Sequence, residues 1–193
     1  MNADRSNGYE VYANEFAAAR GRSTIGAETV GRWAATLSPG GDILELGCGN
    51  GVPISKVLID GGFNVFAIDA SPTLVAEFRE RFPNAKSVCE AVENSNFFDR
   101  KFDAVIAVGL IFLLPEDGQR QIIQKVAATM ANGGRFLFTS PSQAVEWEDV
   151  VTGTRSVSLG AAAYKTILSA AGFDLTAEYE DEGGNHYHDA ILR

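Results

Sequence analysis

The chain has 193 residues, of which 46% are hydrophobic, 21% charged and 10% aromatic, proportions that fit one globular domain with a core of its own. Its 16 Lys and Arg against 25 Asp and Glu leave a formal charge of -9, which argues against a nucleic-acid partner because a phosphate-binding stripe would tip the balance the other way. No run reaches the roughly 18 apolar residues that cross a bilayer, and the start MNADRSNGYE lacks the basic and apolar regions of a secretory signal, so a cytoplasmic protein is expected.

Tyr9, Tyr12, Ala13 and Phe16 recur at helical spacing, and so do Val30, Trp33 and Leu37, which predicts two helices before the turn at Ser38-Pro39-Gly40-Gly41. The period then changes. Asp42 to Leu46 reads as a strand, followed by a glycine-rich turn and a helix opened by Pro53 and closed at Asp60-Gly61-Gly62. Asn64 to Asp69 is a second strand, and Ser71-Pro72 caps a helix running to Arg81. Ser87 to Cys89 makes a short third strand. Asp103 to Val108 is continuously apolar after its first residue, as a strand covered on both faces should be.

A helix from Asp117 to Ala131 stops at Asn132-Gly133-Gly134, and Arg135 to Thr139 forms the fifth strand. Residues 141–157 read as a long polar loop, Leu159 to Ala171 as a helix, and Phe173 to Glu180 and Tyr187 to Leu192 as closing strands joined by a hairpin at 181–185. Alternating strands and helices predict a single-domain α/β fold, a doubly wound parallel sheet ending in an antiparallel strand. Neither Cys48 nor Cys89 belongs to a Cys/His ligand spacing, so both are expected to be reduced packing residues and no metal is expected.

In an open parallel sheet, ligands bind beyond the carboxyl ends of the strands, where strand order reverses. The turn Gly47-Cys48-Gly49-Asn50-Gly51 lies there, and its glycines permit a tight bend with close backbone approach. Asp69 ends the second strand 22 residues after Gly47, a spacing at which a carboxylate can accept hydrogen bonds from both hydroxyls of a ribose. A dinucleotide fingerprint would want glycine where Val52 stands, and Glu45 beneath the turn opposes a pyrophosphate. An NAD(P)-dependent oxidoreductase is therefore the alternative reading.

The segments ILELGCGNG, FAIDAS, CEAVENSNFF, FDAVIAVGLIFLLPE and NGGRFLFTSP together resemble the class I S-adenosylmethionine-dependent methyltransferases over nearly the whole chain. The resemblance implies a seven-stranded Rossmann-like sheet with a C-terminal antiparallel strand, helices on both faces, and S-adenosylmethionine as the methyl donor. Position by position, it implies that Glu45, Gly47, Cys48 and Gly49 meet the methionine part of the donor, and that Asp69, with Ala70 beside it, takes the ribose. Glu90 or Ala91 would meet the adenine edge, and Val108 the sulfonium. Tyr9, Tyr12 and Phe16 resemble a lid over the donor, with Arg20 toward its carboxylate. A non-catalytic donor-binding protein would use the same site.

Methyl transfer is a direct displacement that asks chiefly for alignment, with a general base only where the acceptor must lose a proton early. A parallel sixth strand would deliver Asp181, Glu182, Asn185 and His186 to the ligand edge, and the 141–157 loop would bring Trp147, Asp149, Thr152 and Arg155. His186 and then Asp149 are the candidate bases. The segment Ala107 to Leu113 has no Asn-Pro-Pro-aromatic or Asp-Pro-Pro-aromatic sequence, and no Pro-Cys pair occurs. The expected acceptor is therefore a small molecule, handled by a monomer or homodimer.

Overall fold

A computed structural model describes residues 5–193. The helices are α1 (Ala13–Arg20), α2 (Ala27–Ala34), α3 (Ile54–Asp60), α4 (Pro72–Arg81), α5 (Glu116–Thr129) and α6 (Ala161–Ala170). The strands are β1 (Asp42–Leu46), β2 (Asn64–Asp69), β3 (Lys86–Cys89), β4 (Phe102–Ala107), β5 (Met130–Thr139), β6 (Ala144–Glu148), β7 (Arg155–Leu159), β8 (Phe173–Glu180) and β9 (His186–Leu192).

Seven strands form one sheet in the order β3-β2-β1-β4-β5-β9-β8. β9 is inserted antiparallel between β5 and β8, so the sixth strand of the sheet in chain order runs parallel to the first five. This is the expected Rossmann-like methyltransferase topology, and its order reverses between β1 and β4, where a crevice opens. The buried faces explain the sequence pattern. On one side Leu44, Phe66, Val105 and Phe136 pack beneath Ile122 and Ile123 of α5 and Tyr164 and Leu168 of α6. On the other, Ile43, Val65 and Ile106 pack against Trp33 of α2, Leu58 of α3 and Phe78 of α4. Strands covered by both layers have no solvent face, hence their unbroken apolar runs.

Two expectations are corrected here. Residues 141–157 are not an extended polar loop, because β6 and β7 pair as an antiparallel hairpin. Its turn is closed by Asp149, whose Oδ1 accepts from the amides of Val151 (3.0 Å) and Thr152 (2.9 Å), and by Gly153 at φ 69°. Cys89 is exposed rather than packed, whereas Cys48 is buried. Among the described residues, no helix is long and apolar enough to cross a membrane.

Candidate functional site

The crevice beyond β1, β2 and β4 holds a cavity of about 220 Å³. Gly47 and Gly49 line it, and with Gly51 they take φ of 73°, 55° and 82°. At Gly51 the reason for glycine is steric as well as conformational, since a Cβ would stand 2.8 Å from the Phe78 ring. Asp69 at the end of β2 faces the turn. Its Oδ2 accepts from the Gly49 amide and its Oδ1 from the Ser71 amide, both at 2.8 Å, which fixes the carboxylate against the cavity wall with lone pairs to spare. Burial nevertheless pushes its pKa up, an effect that the two amides oppose.

Glu45, near the carboxyl end of β1, is buried and accepts a 2.5 Å hydrogen bond from Ser55 Oγ on α3. Desolvation, with a smaller contribution from Asp69, lifts its pKa to about 8. The cavity floor therefore carries a desolvated carboxyl that holds its proton near neutral pH and that a nearby cationic group would favour ionising.

The N-terminal segment runs across the mouth. Tyr9 and Phe16 line the cavity and meet edge-to-face at 5.1 Å. Arg20, also in the lining, faces Glu45 and Asp181, and burial lowers its pKa while both carboxylates oppose the shift. Glu10 fastens this segment to the start of α4, where it accepts from Thr73 Oγ1 at 2.6 Å and from Ser71 Oγ. Tyr12 does not share this position. It stands just before α1, 41% exposed and outside the cavity lining, because the chain from Tyr9 to Tyr12 is a run of turns rather than helix and Tyr9 takes the inward place.

At the other end, Ala70, Ala91 and Val92 line the cavity, and Val108 closes it beneath β4. Of the two residues expected at the adenine edge, Ala91 is in the lining, while Glu90, whose amide pairs with the Asp69 carbonyl at 2.9 Å, flanks it. The structure adds Tyr187, whose hydroxyl donates to Asp181 Oδ2 at 3.2 Å, and both residues line the cavity. Tyr187 carried no sequence signal apart from starting a strand.

A second cavity of about 340 Å³ adjoins the first and shares Phe112, Thr139 and Asn185 with it. Trp147 and Asp149 of the hairpin, Glu180 and His186 complete much of its wall. Trp147 packs on Phe112 at 5.2 Å. The two bases expected here are both engaged. Asp149 is buried, with Oδ1 accepting from the turn and Oδ2 accepting from Tyr9 Oη at 3.1 Å, so its carboxylate holds the turn and Tyr9. His186 Nε2 lies 3.2 Å from Glu178 Oε1.

A family model described as "Methyltransferase domain" matches residues 43–134, the span from β1 to the first half of β5 that carries the glycine turn and Asp69. No curated protein sequence matches the chain. Among solved structures, a TehB-like SAM-dependent methyltransferase from Corynebacterium glutamicum superimposes with a TM-score of 0.72 at 19% identity, covering 95% of this chain and 98% of that one. Magnesium protoporphyrin IX methyltransferase from Synechocystis, with bound SAM, gives 0.68 at 18% identity over 86% and 78%. The glycopeptide N-methyltransferase MtfA, complexed with SAM, gives 0.69 at 21% over 87% and 94%. The family match marks residues 43–134 as similar to a methyltransferase domain, and the solved structures show that the chain shares the fold of S-adenosylmethionine-dependent methyltransferases.

Proposed function

We propose that this protein transfers a methyl group from S-adenosylmethionine to a small-molecule acceptor in the cytoplasm, by direct displacement between the two adjoining cavities. One observation carries the reading: the donor-type cavity, with Asp69 beside the glycine turn and Glu45 in its floor, adjoins a second cavity with which it shares Phe112, Thr139 and Asn185. In this assignment Asp69 binds the ribose, Ala70 and Ala91 flank the base, Gly47, Cys48 and Gly49 approach the methionine chain, and Arg20 answers its carboxylate. Glu45 favours its ammonium, and Val108 borders the sulfonium. Tyr9 and Phe16, tied down by Glu10 and Asp149, serve as the lid that excludes water. His186 belongs to the acceptor wall, and Asp149 is a positioning residue that holds Tyr9 rather than a base. Bringing the two reactants into line accounts for roughly 7 to 11 kcal/mol of barrier lowering without proton transfer.

The oxidoreductase alternative is disfavoured by the buried acid of β1, beside which a pyrophosphate would have to lie. Thermal shifts separate the two. S-adenosylmethionine or S-adenosylhomocysteine at about 100 times its dissociation constant should stabilise the fold by about 2.7 kcal/mol, and NAD(P) should not. A shift with NAD(P) alone would overturn the assignment. Transfer of a labelled methyl group across a panel of small amines, alcohols and thiols then distinguishes an enzyme from a donor-binding protein without catalysis.

A further inference from the structure

The two histidines of the chain lie together, with Glu178, on the α6 side of the β8–β9 hairpin. His186 and His188 are two residues apart on β9 and so share a face, and the register sets Glu178 of β8 opposite His188 and Glu180 opposite His186. Glu178 Oε1 is 3.2 Å from His186 Nε2 and 3.0 Å from His188 Nδ1. One ligand atom from each of the three residues falls within 4.8 Å of the others.

His188 is the telling member. Its side chain is fully buried, and neither ring nitrogen makes a well-aligned hydrogen bond, although Nδ1 comes within 3.0 Å of Glu178 Oε1. Buried polar atoms left in this state cost free energy unless something else satisfies them. The ring is held in place by stacking on Phe138 at 4.7 Å and by Tyr164 at 5.1 Å.

We propose that Glu178, His186 and His188 form a binding site for a divalent transition-metal ion of the zinc class. Two imidazole nitrogens and one carboxylate oxygen are a donor set for zinc with one position left open, whereas magnesium and calcium favour all-oxygen shells. With metal–ligand bonds of about 2.0–2.1 Å at tetrahedral angles, neighbouring donors stand about 3.3 Å apart. Both glutamate–histidine separations are within a few tenths of an ångström of that spacing, while the full set of donors spans up to 4.8 Å, so the more exposed Glu178 and His186 side chains must close on the ion as it binds. Glu180 Oε1, 4.0 Å from His186 Nδ1, is placed to steady that ring from outside the site. The Glu178 side chain is 34% exposed, which leaves the ion a path from solvent. His186 also lines the second cavity, so the ion stands at the rim of the space assigned to the acceptor. The inference does not rest on the methyltransferase reading, because none of the three residues lines the donor cavity.

The test uses the full chain, freed of metal with a chelator and titrated with Zn²⁺ alone by calorimetry. Binding of one ion per chain is expected, with a rise in melting temperature and, on substitution by Co²⁺, the visible absorption of a tetrahedral nitrogen–oxygen site. Glu178→Gln and His186→Ala should each weaken Zn²⁺ binding at least about tenfold. Both residues sit at the accessible side of the site, and cooperative melting of the metal-free variants checks their fold. Should one of them fail that check, the other carries the comparison. Absence of Zn²⁺ binding by the wild-type chain would overturn the proposal, as would unchanged affinity in a folded variant, which would put the ion elsewhere. Titration of the same metal-free protein with S-adenosylhomocysteine tests the donor reading separately.

Discussion

Asp69 and Glu45 lie within one cavity and have opposite needs. Asp69 already accepts from two amides, so Asp69→Ala removes the acceptor proposed for the ribose and also frees the Gly49 and Ser71 amides. S-adenosylhomocysteine affinity should fall by about 2 to 4 kcal/mol in a calorimetric titration, with some loss of melting temperature. Unchanged affinity would reduce Asp69 to a strand-end support of the turn. Glu45 has its pKa raised, chiefly by desolvation, from 4.5 to about 8. Between those two values the folded protein holds a proton that the unfolded chain has released. This group therefore makes stability fall as pH rises, by up to about 1.4 kcal/mol per pH unit. Glu45→Gln should flatten that part of the profile in urea denaturation followed from about pH 5 to 8, and a slope unchanged from wild type would locate the titration elsewhere.

At the scale of elements, the β6–β7 hairpin and the N-terminal segment support each other through Tyr9 and Asp149. The base of the hairpin is pinned to the helical layer by a buried chain. Tyr164 Oη donates to Gln119 Oε1 at 2.6 Å, Ser140 Oγ stands 2.8 Å from that hydroxyl, and Gln119 Nε2 donates to the carbonyl of Val157 in β7 at 2.8 Å. Asp149→Asn keeps the volume but disturbs the acceptors. It should lower stability by about 1 to 3 kcal/mol and raise the donor dissociation constant through a loosened Tyr9. Once an acceptor is known, a general base at this position would instead show as a turnover loss of about 100-fold or more with donor affinity intact. The hairpin escaped the sequence reading because Ala144-Val145-Glu146-Trp147-Glu148 is a weakly alternating, charge-rich strand. Its pairing depends on the Asp149 turn and on a diagonal Arg155–Glu146 contact, neither of which has an apolar pattern.

At the scale of the whole molecule, an ion pair joins the antiparallel end of the sheet to α2. Asp189 on β9, 3% exposed, accepts from Trp33 Nε1 on α2 at 3.3 Å and from both Nε and an Nη of Arg135 on β5. Arg135→Ala strands that carboxylate and should cost about 2 to 4 kcal/mol by urea denaturation. Partial solvent access at Arg135 sets the lower end. A loss below about 1 kcal/mol would mean that water replaces the guanidinium.

The sequence by itself determined the sheet, the glycine turn and the Asp69 strand end, because those depend on local periodicity, on backbone conformations open chiefly to glycine, and on spacing along one βαβ unit. Strand ends for β2 and β8 were legible to the residue for the same reason. Only the tertiary structure decided that Tyr9 rather than Tyr12 faces the cavity, that Ala91 rather than Glu90 is in its lining, that Tyr187 joins it, and that Asp149 holds Tyr9. It alone brought Glu178 from one strand against His186 and His188 from the next. Each of these depends on which face a side chain takes across a turn or a strand register. A one-residue slip reverses that choice, and packing against distant parts of the chain is what selects it.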